Sequence, residues 1–392
     1  MSDLRTVDVE DILAKAGEAL SKATSDTVAL DHVEVLSNEE RRNFIARATA
    51  HYTGGGARSV ILKATRSPAY DPTDAVALQT SAVGKEWVAC AFLAARAPGR
   101  GHGSALLAGD VSGGIMVFED LGAHLASLVD PLLKGTPEEA ESALTRYATA
   151  LGGLHADTVD CLDAHHETFR SAFGLDRPRG PLGWRVEKDA ERVAKKLGNA
   201  PPASELQLLS SRLMEPGPWL ALTHGDPCPD NSLLVDGRCR LIDYEYSRPS
   251  HALLDGIYWR MGFPTCWCAG RTPGDVAARL DAIYRAELGT AIPLALDDTA
   301  YHIELAYMAA VWMFNCLSWR LDEALERDER WGIWSIRGRL LWYLEAVIEI
   351  TDSASVLPGV NKTARDWLSE LKRCWPDASP LGLYPSFTSK PR

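Results

Sequence analysis

The stretch that most constrains this 392-residue chain is LTHGDPCPDNSLLVDGRCRLIDYEYS, at residues 222–247. Residues 220–223 form a short apolar run that is typical of a buried strand. The strand leads into His224 and Asp226, and a segment with two prolines then leads to Asn231. The stretch therefore predicts polar side chains at the end of a strand.

A β-hairpin is predicted directly after Asn231. Asp236 and Gly237 are a strong signal for a two-residue hairpin turn between two short apolar strands, and Asp243 follows the second strand. A hairpin places the start of one strand beside the end of the other, so we expect Asn231 and Asp243 to lie close together, with Asp226 just upstream.

Carboxylate and amide oxygens in such a cluster suit Mg²⁺ and phosphate chemistry, because Mg²⁺ takes a few protein oxygens together with phosphate oxygens. The catalytic loop of kinases has the spacing His-x-Asp, four residues, Asn, and then a later metal-binding Asp. These positions are occupied here by His224, Asp226, Asn231 and Asp243. The alternative is a hairpin with solvated acids at its ends, and the agreement of spacing, strand context and turn chemistry argues against it.

The residues HGDPCPDN at 224–231 and LIDYE at 241–245 resemble the aminoglycoside phosphotransferase and choline kinase-like family. The resemblance implies an α+β, bilobal protein-kinase-like fold. An N-terminal antiparallel-sheet lobe with one main helix would be followed by a larger, mostly helical C-terminal lobe. It also implies a small-molecule kinase that uses ATP and Mg²⁺. Asp226 would be the catalytic base and His224 would support its loop. Asn231 and Asp243 would bind Mg²⁺, with Asn231 also part of the catalytic loop.

A glycine-rich turn is predicted between two strands near the N-terminus. It contains Gly54, Gly55 and Gly56, which let a backbone approach a phosphate closely, although a plain flexible turn explains them as well. Lys63 in the second strand favours the phosphate interpretation, because a lysine in an apolar strand is costly to bury without a partner.

Within the resemblance, Lys63 contacts the nucleotide phosphates and pairs with Glu86, in a helix predicted at 83–96. The alternative for Glu86 is a solvated position on that helix. The loop at 66–82 would separate the lysine strand from the helix.

A strand predicted at 115–118 runs into Glu-Asp-Leu-Gly at 119–122, which resembles the family's hinge between lobes. The resemblance implies that the backbone at Phe118, Glu119 and Leu121 meets the adenine. The alternative is a strand that ends in an acidic turn.

The predicted domains are an N-terminal helical accessory segment at 1–40, a nucleotide-binding N-lobe at 41–121, and a C-lobe at 122–392 with the catalytic loop and acceptor-binding helices. The accessory segment has apolar residues on one helical face. Residues 160–200 are predicted to be a charged insert beside the substrate cleft.

Three further residues are interpreted from their place in the family pattern. Asp255, in HALLD at 251–255, resembles the aspartate that anchors the catalytic loop. His155 closes a predicted helix at 137–155 and is interpreted as structural. Glu245 is a candidate for an extra metal or substrate contact, or else is exposed.

Strong helical patterns at 276–288 and 300–350 correspond to the region where such kinases build the acceptor pocket. Four acids there are candidates to meet a cationic small-molecule acceptor, namely Glu304, Asp322, Glu323 and Glu326. The net charge of -12 argues against nucleic acid and anionic membranes as partners. It would suit a cationic acceptor, although solubility alone is the better explanation.

The eight cysteines do not make a disulfide framework in a chain of this size. Cys266 and Cys268 are separated by one residue, unlike a zinc knuckle, and are predicted to be buried or free thiols. No apolar run is long enough to span a bilayer, and the acidic amphipathic N-terminus is unlike a secretory signal. A cytoplasmic location is expected.

Two other functions remain open. The first is a nucleotide-binding scaffold without catalysis, against which the joint presence of Lys63, Asp226, Asn231 and Asp243 argues. The second is nucleotidyl transfer on the same fold, which would release pyrophosphate rather than ADP.

Overall fold

The computed structural model describes residues 4–177 and 185–388. The elements up to residue 119 are α1 Val9–Thr24, β1 Val28–Val35, β2 Asn43–Tyr52, β3 Ala57–Thr65, α2 Ala75–Thr80, α3 Ala82–Arg96, β4 Leu106–Asp110 and β5 Ile115–Glu119. The next are α4 Val129–Lys134, α5 Pro137–Asp157, α6 Leu162–Phe173, α7 Val186–Leu197, α8 Ala203–Met214, β6 Leu220–Thr223, β7 Ser232–Val235, β8 Arg238–Leu241 and β9 Arg248–His251.

The remaining elements are α9 Leu253–Gly256, α10 Tyr258–Met261, α11 Gly274–Leu288, α12 Asp298–Glu326, β10 Arg330–Trp331, β11 Trp334–Ser335, α13 Ile336–Ala354, α14 Pro358–Cys374 and α15 Pro385–Thr388. Short 3₁₀ helices lie at Gly217–Trp219, Pro229–Asn231 and Pro293–Leu296. Among the described residues, no helix combines the length and the apolar character needed to span a membrane.

The chain forms two compact units. The first comprises residues 1–125, 162–179 and 240–247, and the second comprises 126–161, 180–239 and 248–392. The predicted three-part division at residues 40 and 121 stays a prediction. The predicted insert at 160–200 includes residues 178–184, which lie outside the described residues.

The first unit is built on a five-stranded antiparallel sheet in the order β1-β2-β3-β5-β4. In β2, the alanines at positions 46, 48 and 50 alternate along the strand and are buried, so one face of the strand carries small side chains. A face of small side chains allows a helix to approach closely, and the α1 helix packs into the same core.

The α1 helix is specified by its own sequence. The side chain of Asp8 caps its first turn by accepting hydrogen bonds from the backbone N–H groups of residues 10 and 11. Ile12, Ala16 and Leu20 are four residues apart, share one face and are buried against the sheet. The predicted accessory segment at 1–40 also contains β1, an edge strand that was not predicted from the sequence.

On the other side of β3 lies α3. Ser81 caps its first turn by accepting from the backbone N–H of Gly84. A side chain at Gly84 would collide with the carbonyl oxygen of Leu78, 2.1 Å from an ideal Cβ, so glycine allows α2 and α3 to pack. The rings of Trp87 and Phe173, with centroids 6.1 Å apart, join α3 to α6.

The second unit is mostly helical. Long amphipathic helices pack side by side, α5 on α11, α12 on α13 and α13 on α14. A capping box at Thr136 and Glu139 begins α5. The antiparallel pair β6 and β9, with Leu220 opposite His251, delivers the chain to His224.

The α+β class, with an N-terminal antiparallel sheet and a mostly helical remainder, is the predicted class. Some local predictions were wrong. The predicted loop at 66–82 contains α2, and the predicted helical run at 300–350 is interrupted by the small hairpin of β10 and β11. Gly332, with a φ of 68°, lies in the turn of that hairpin, at a left-handed position that favours glycine.

Candidate active site

Lys63 lies on the face of β3 opposite the α1 core. Its strand neighbours Leu62 and Ala64 point into that core, and because side chains alternate along a strand, Lys63 points the other way. The Glu86 side chain of α3 meets it there, with 2.5 Å between the Lys63 Nζ and the Glu86 Oε2. The structure therefore brings together the lysine and the glutamate that the sequence paired.

The Lys63 ammonium is also 2.5 Å from Asp243 Oδ1, so one buried cation is shared by two carboxylates. Burial opposes the charge of Lys63, but Glu86 and Asp243 outweigh it and raise the pKa of the ammonium. Burial raises the pKa of Glu86 to about 7, an effect that Lys63 opposes and that the negative charge of Asp243 reinforces. The cluster thus holds a permanent cation beside a buried carboxyl group whose pKa is raised.

Asp243 has a left-handed backbone with a φ of 66°, a conformation that aspartate tolerates better than most residues. Its side chain remains 37% exposed, whereas the side chains of Lys63 and Glu86 are buried. Asp243 is therefore the member of the cluster that a ligand can reach. Glu245, two residues later, is buried and paired with Arg42, and the amide nitrogen of Asn43 lies 3.4 Å from its Oε2.

The glycine turn between β2 and β3 is hydrogen-bonded to the carboxylate of Asp26, which lies between α1 and β1. Asp26 Oδ2 accepts from the Gly54 N–H at 2.9 Å, and the Gly55 N–H donates to the Tyr52 carbonyl oxygen at 2.9 Å. Hydrogen bonds from the Thr53 hydroxyl and from the turn lower the pKa of Asp26. Gly55 and Gly56 have φ values of 101° and 95°, so the turn needs glycine at these positions.

The predicted hinge lies at the end of β5. Phe118 is buried in the sheet, opposite Ile61. The backbone of Glu119 is already occupied, because its N–H donates to the Ala105 carbonyl oxygen at 2.8 Å and its carbonyl oxygen accepts from Ser104 Oγ at 2.5 Å. Leu121 lies two residues beyond the end of the strand.

The predicted catalytic loop, residues 224–231 of the second unit, is anchored by Asp255, as the family pattern implied. Its buried carboxylate accepts from the backbone N–H of His224 at 2.6 Å and of Gly225 at 3.2 Å. His155, also buried, lies with its Nε2 3.4 Å from Asp255 and its Nδ1 2.7 Å from the Tyr284 hydroxyl. These contacts agree with the interpretation of Asp255 and His155 as structural residues, which stays a prediction.

Asp226 and Asn231 lie together in this loop. The amide nitrogen of Asn231 is 3.0 Å from the Asp226 carbonyl oxygen and 3.4 Å from Asp226 Oδ2. This orientation directs the amide oxygen of Asn231 away from Asp226. The ring of His224 is buried, and its Nδ1 lies 3.4 Å from the Asp226 backbone nitrogen.

A loop at residues 264–268 contacts the catalytic loop. The Thr265 hydroxyl lies 2.5 Å from Asp226 Oδ1, and the Trp267 indole Nε1 donates to Asp230 Oδ2 at 2.9 Å. Between these contacts, Cys266 forms a disulfide with Cys228.

The prediction of a thiol at Cys266 was therefore wrong, whereas Cys268 is a buried free thiol. The bonded cysteines are 38 residues apart, and their sequence spacing gives no signal of the pairing.

A family model described as "Phosphotransferase enzyme family" matches residues 49–289. The chain belongs to the phosphotransferase enzyme family. This membership confirms the predicted family and the enzyme class. A comparison with curated proteins finds no match.

Solved structures similar to this phosphotransferase include a choline kinase from Cryptosporidium parvum Iowa II, with a TM-score of 0.50 and 12% identity, covering 91% of this chain and 100% of that one. This likeness shows a shared fold. A choline/ethanolamine kinase family protein from Mesorhizobium loti has a TM-score of 0.43 and 18% identity, with 88% and 93% of the chains covered. An aminoglycoside phosphotransferase in complex with ADP and hygromycin B has a TM-score of 0.46 and 11% identity, with 89% and 100% covered.

The four candidate acceptor acids of the phosphotransferase all lie on α12. Glu304 is buried, 3.3 Å from His251 Nε2 and 3.4 Å from an Arg212 nitrogen. Glu304 and Glu326 are 22 residues apart, which is about 33 Å along a helix. The structure therefore does not bring all four acids to one small ligand.

The other three acids cluster near the end of the helix. Asp322 is paired with Arg192 at 2.7 Å and with Lys196 at 3.0 Å. Glu323 lies 3.1 Å from Arg320, and Glu326 is exposed.

Sequence reasoning missed several residues that contact the site. Asp26 was hidden because its role depends on the fold of the turn it caps, 28 residues away. Thr265 and Trp267 were missed because a lone threonine or tryptophan in a loop has no local pattern. The one available signal was a second cysteine, Cys228, inside the catalytic motif itself.

Proposed function

We propose that this phosphotransferase moves the γ-phosphate of ATP to a hydroxyl group of a small-molecule acceptor. The observation that carries the proposal is the Lys63 ammonium, buried and held by Glu86 and Asp243. A buried cation with one partly exposed carboxylate partner is suited to meet an anionic phosphate and its counter-ion. In kinases the corresponding lysine and glutamate form an ion pair that orders the phosphate site.

The first unit would bind the nucleotide. Lys63 would contact the phosphates while Glu86 orients it. The turn of Gly54, Gly55 and Gly56 would cover the phosphates, which requires the Gly54 N–H to exchange its bond to Asp26 for one to phosphate. The adenine would meet Phe118 and the backbone at Glu119 and Leu121. Because the Glu119 backbone groups are already bonded to residues 104 and 105, we assign the new hydrogen bonds to Leu121.

The second unit would supply the catalytic loop. Asp226 would orient the acceptor hydroxyl and accept its proton late in the transfer, because phosphoryl transfer passes through a loose transition state. His224 would support the loop through the contact of its ring with the Asp226 backbone. Positioning would then contribute most of the rate enhancement.

Asn231 and Asp243 would hold Mg²⁺. Both offer hard oxygen atoms, an amide oxygen directed away from Asp226 and a partly exposed carboxylate, and this donor chemistry fits the ion. When bound, Mg²⁺ neutralises charge on the phosphate oxygens. Glu245 remains a candidate for a supporting contact through Asp243, although its pairing with Arg42 makes it a neighbour rather than a ligand.

The acceptor would be an aminoglycoside or other antibiotic-like molecule, an amino alcohol, or a sugar. The net charge of -12 favours a cationic acceptor. Of the four candidate acids, Glu326 is the exposed one, whereas Glu304 would have to exchange a buried ion pair for the acceptor. We place the reaction in the cytoplasm, where ATP is abundant.

The test is Mg²⁺-dependent ADP release from ATP across a panel of hydroxylated acceptors, with the Asp226→Ala variant as the control. The panel should contain aminoglycosides, macrolides, nucleosides, sugars and amino alcohols. Release that one acceptor class stimulates, and that the control loses, would support the proposal and name the acceptor.

Two results would contradict the proposal. Pyrophosphate in place of ADP would indicate nucleotidyl transfer. ATP binding with no product on any acceptor, by wild type and control alike, would favour a nucleotide-binding scaffold.

A further inference from the structure

Three consecutive residues of the 264–268 loop contact alternate residues of the catalytic loop. Thr265 meets Asp226, Cys266 is bonded to Cys228, and Trp267 meets Asp230. The contacts use three different chemistries, namely a hydroxyl hydrogen bond, a covalent bond and an indole hydrogen bond. We call residues 264–268 the clamp loop. Its contacts match the catalytic loop residue by residue, so it fixes the register between the two loops.

The direction of the Thr265 hydrogen bond follows from its partners. An ionised carboxylate accepts hydrogen bonds and donates none, so the Thr265 hydroxyl donates to Asp226 Oδ1. The Thr265 oxygen keeps its lone pairs, and the Tyr258 hydroxyl lies 3.3 Å from it. Tyr258 is buried, and its hydroxyl also lies 3.4 Å from the Gly225 carbonyl oxygen. When the single hydroxyl proton of Tyr258 is directed to the Thr265 oxygen rather than to Gly225, the buried tyrosine holds the threonine from one side while the threonine holds the carboxylate.

The clamp loop is itself immobilised from behind. The buried guanidinium of Arg339 donates to the carbonyl oxygens of Cys266 at 2.6 Å and of Trp267 at 2.9 Å. The Tyr343 hydroxyl donates to the Pro264 carbonyl oxygen at 3.2 Å. Bonds to the backbone fix a loop without using its side chains. Thr265 and Trp267 are therefore free of that task and can hold the catalytic loop.

We propose that Thr265 is a positioning residue for phosphoryl transfer, acting through Asp226. By holding Oδ1, it fixes the carboxylate rotamer and directs Oδ2, whose contact with Asn231 is longer at 3.4 Å, toward the acceptor hydroxyl. This inference rests on the proposed function, in which Asp226 is the base. It assigns a role to a residue outside the kinase-like motif.

The test compares Thr265→Val, which keeps the shape and removes the hydroxyl, with Thr265→Ser, which keeps the hydroxyl. We expect Thr265→Val to lower kcat by about 10- to 100-fold, because small errors in position are costly to a reacting group. Thr265→Ser should retain kcat to within about threefold, and the KM for ATP should stay within about twofold in both variants. Thr290→Val is the matched control, since the Thr290 hydroxyl bonds the Glu287 carbonyl oxygen on an exposed turn.

Two kinetic results would overturn the proposal. One is a Thr265→Val enzyme with the kcat of wild type. The other is a Thr265→Ser enzyme as impaired as Thr265→Val, which would indicate a packing role for the methyl group.

Crystal structures of wild type and Thr265→Val provide a readout that is independent of turnover. We expect the Asp226 carboxylate to leave its wild-type rotamer in the variant, and an unmoved carboxylate would overturn the proposal even if no acceptor is found. A wild-type enzyme that transfers no phosphate, with a carboxylate that does move in Thr265→Val, would count against the proposed function and leave the positioning contact standing.

Discussion

In the first unit the ammonium of Lys63 is surrounded by the carboxylates of Glu86 and Asp243, whereas in the second unit the carboxylate of Asp226 receives hydrogen bonds from a hydroxyl and an amide. The difference reflects what each group would do. A buried cation must be compensated by opposite charge. A base must keep an oxygen that can accept a proton, and the hydroxyl of Thr265 and the amide of Asn231 orient that carboxylate.

The largest expected effect concerns Asp226 of the second unit. Asp226→Asn should lower kcat by about 10²- to 10⁴-fold, because an amide cannot accept the acceptor's proton. The Kd for ATP should change little, since Lys63 lies in the first unit. Steady-state kinetics measure the change in kcat, and isothermal titration calorimetry measures the Kd for ATP. Near-normal turnover in Asp226→Asn would mean that Asp226 is not the base, and the contrast between a compensated cation in the first unit and a base in the second would no longer hold.

The second prediction concerns the covalent link in the second unit. The Cys228–Cys266 disulfide closes a loop of 38 residues, so its loss through Cys266→Ser should lower the free energy of unfolding by about 3–4 kcal/mol. Urea denaturation measures this change. Cys374→Ser is the control, since Cys374 is exposed and not bonded to another cysteine. Alkylation of all eight cysteines in unreduced, denatured protein would show that the link is absent.

The third prediction concerns the charge cluster of the first unit. Glu86→Gln removes the buried partner of Lys63 and should lower kcat/KM for ATP by about 10- to 100-fold, because hydrogen bonds to charged groups contribute about 1.5–3 kcal/mol. Steady-state kinetics at varied ATP measure it. The disulfide content should stay at the wild-type level. A variant with unaltered ATP kinetics would mean that Asp243 alone orients Lys63.

The smallest expected effect concerns His165, a buried histidine of the first unit. Burial, with smaller contributions from Arg177 and His166, lowers the pKa of His165 from 6.5 to about 3. The unfolded chain therefore binds a proton at a pH where the folded chain does not, and stability falls as the pH drops from about 6.5 toward 3. His165→Leu should make this decline shallower, by up to about 1.4 kcal/mol per pH unit.

Thermal or urea unfolding between pH 7 and 5 checks the His165 prediction. Equal slopes for wild type and His165→Leu would contradict it. A steeper decline in the variant would mean that other buried groups control the acid response.

Sequence patterns predicted the parts of the site that are local. Lys63 stood out because a lysine in an apolar strand needs a partner, and the motif from His224 to Asn231 has a spacing that only a strand end and a tight loop explain. The long helices also followed from periodicity, whereas the antiparallel sheet was implied by the resemblance to the family.

What the sequence could not predict is pairing over long separations. The partners of Thr265 and Cys266 lie 39 and 38 residues away, on a loop with no periodicity of its own. The acids of α12 show the same limit. The sequence identified Glu304 and Asp322 as candidates but did not predict their cationic partners, Arg212 and Arg192. Pairing depends on which loops the fold brings together, and no local rule encodes it.

The way the chain alternates between its units has a consequence for its synthesis. The first unit is completed by residues 240–247, and Asp243 follows Lys63 by 180 residues. At ribosomal rates, Asp243 is added about 10–40 s after Lys63. Until then the nascent chain has Glu86 as the one described carboxylate partner for the lysine. Stalling translation just before residue 243 would therefore yield a chain in which the buried lysine has one of its two carboxylate partners.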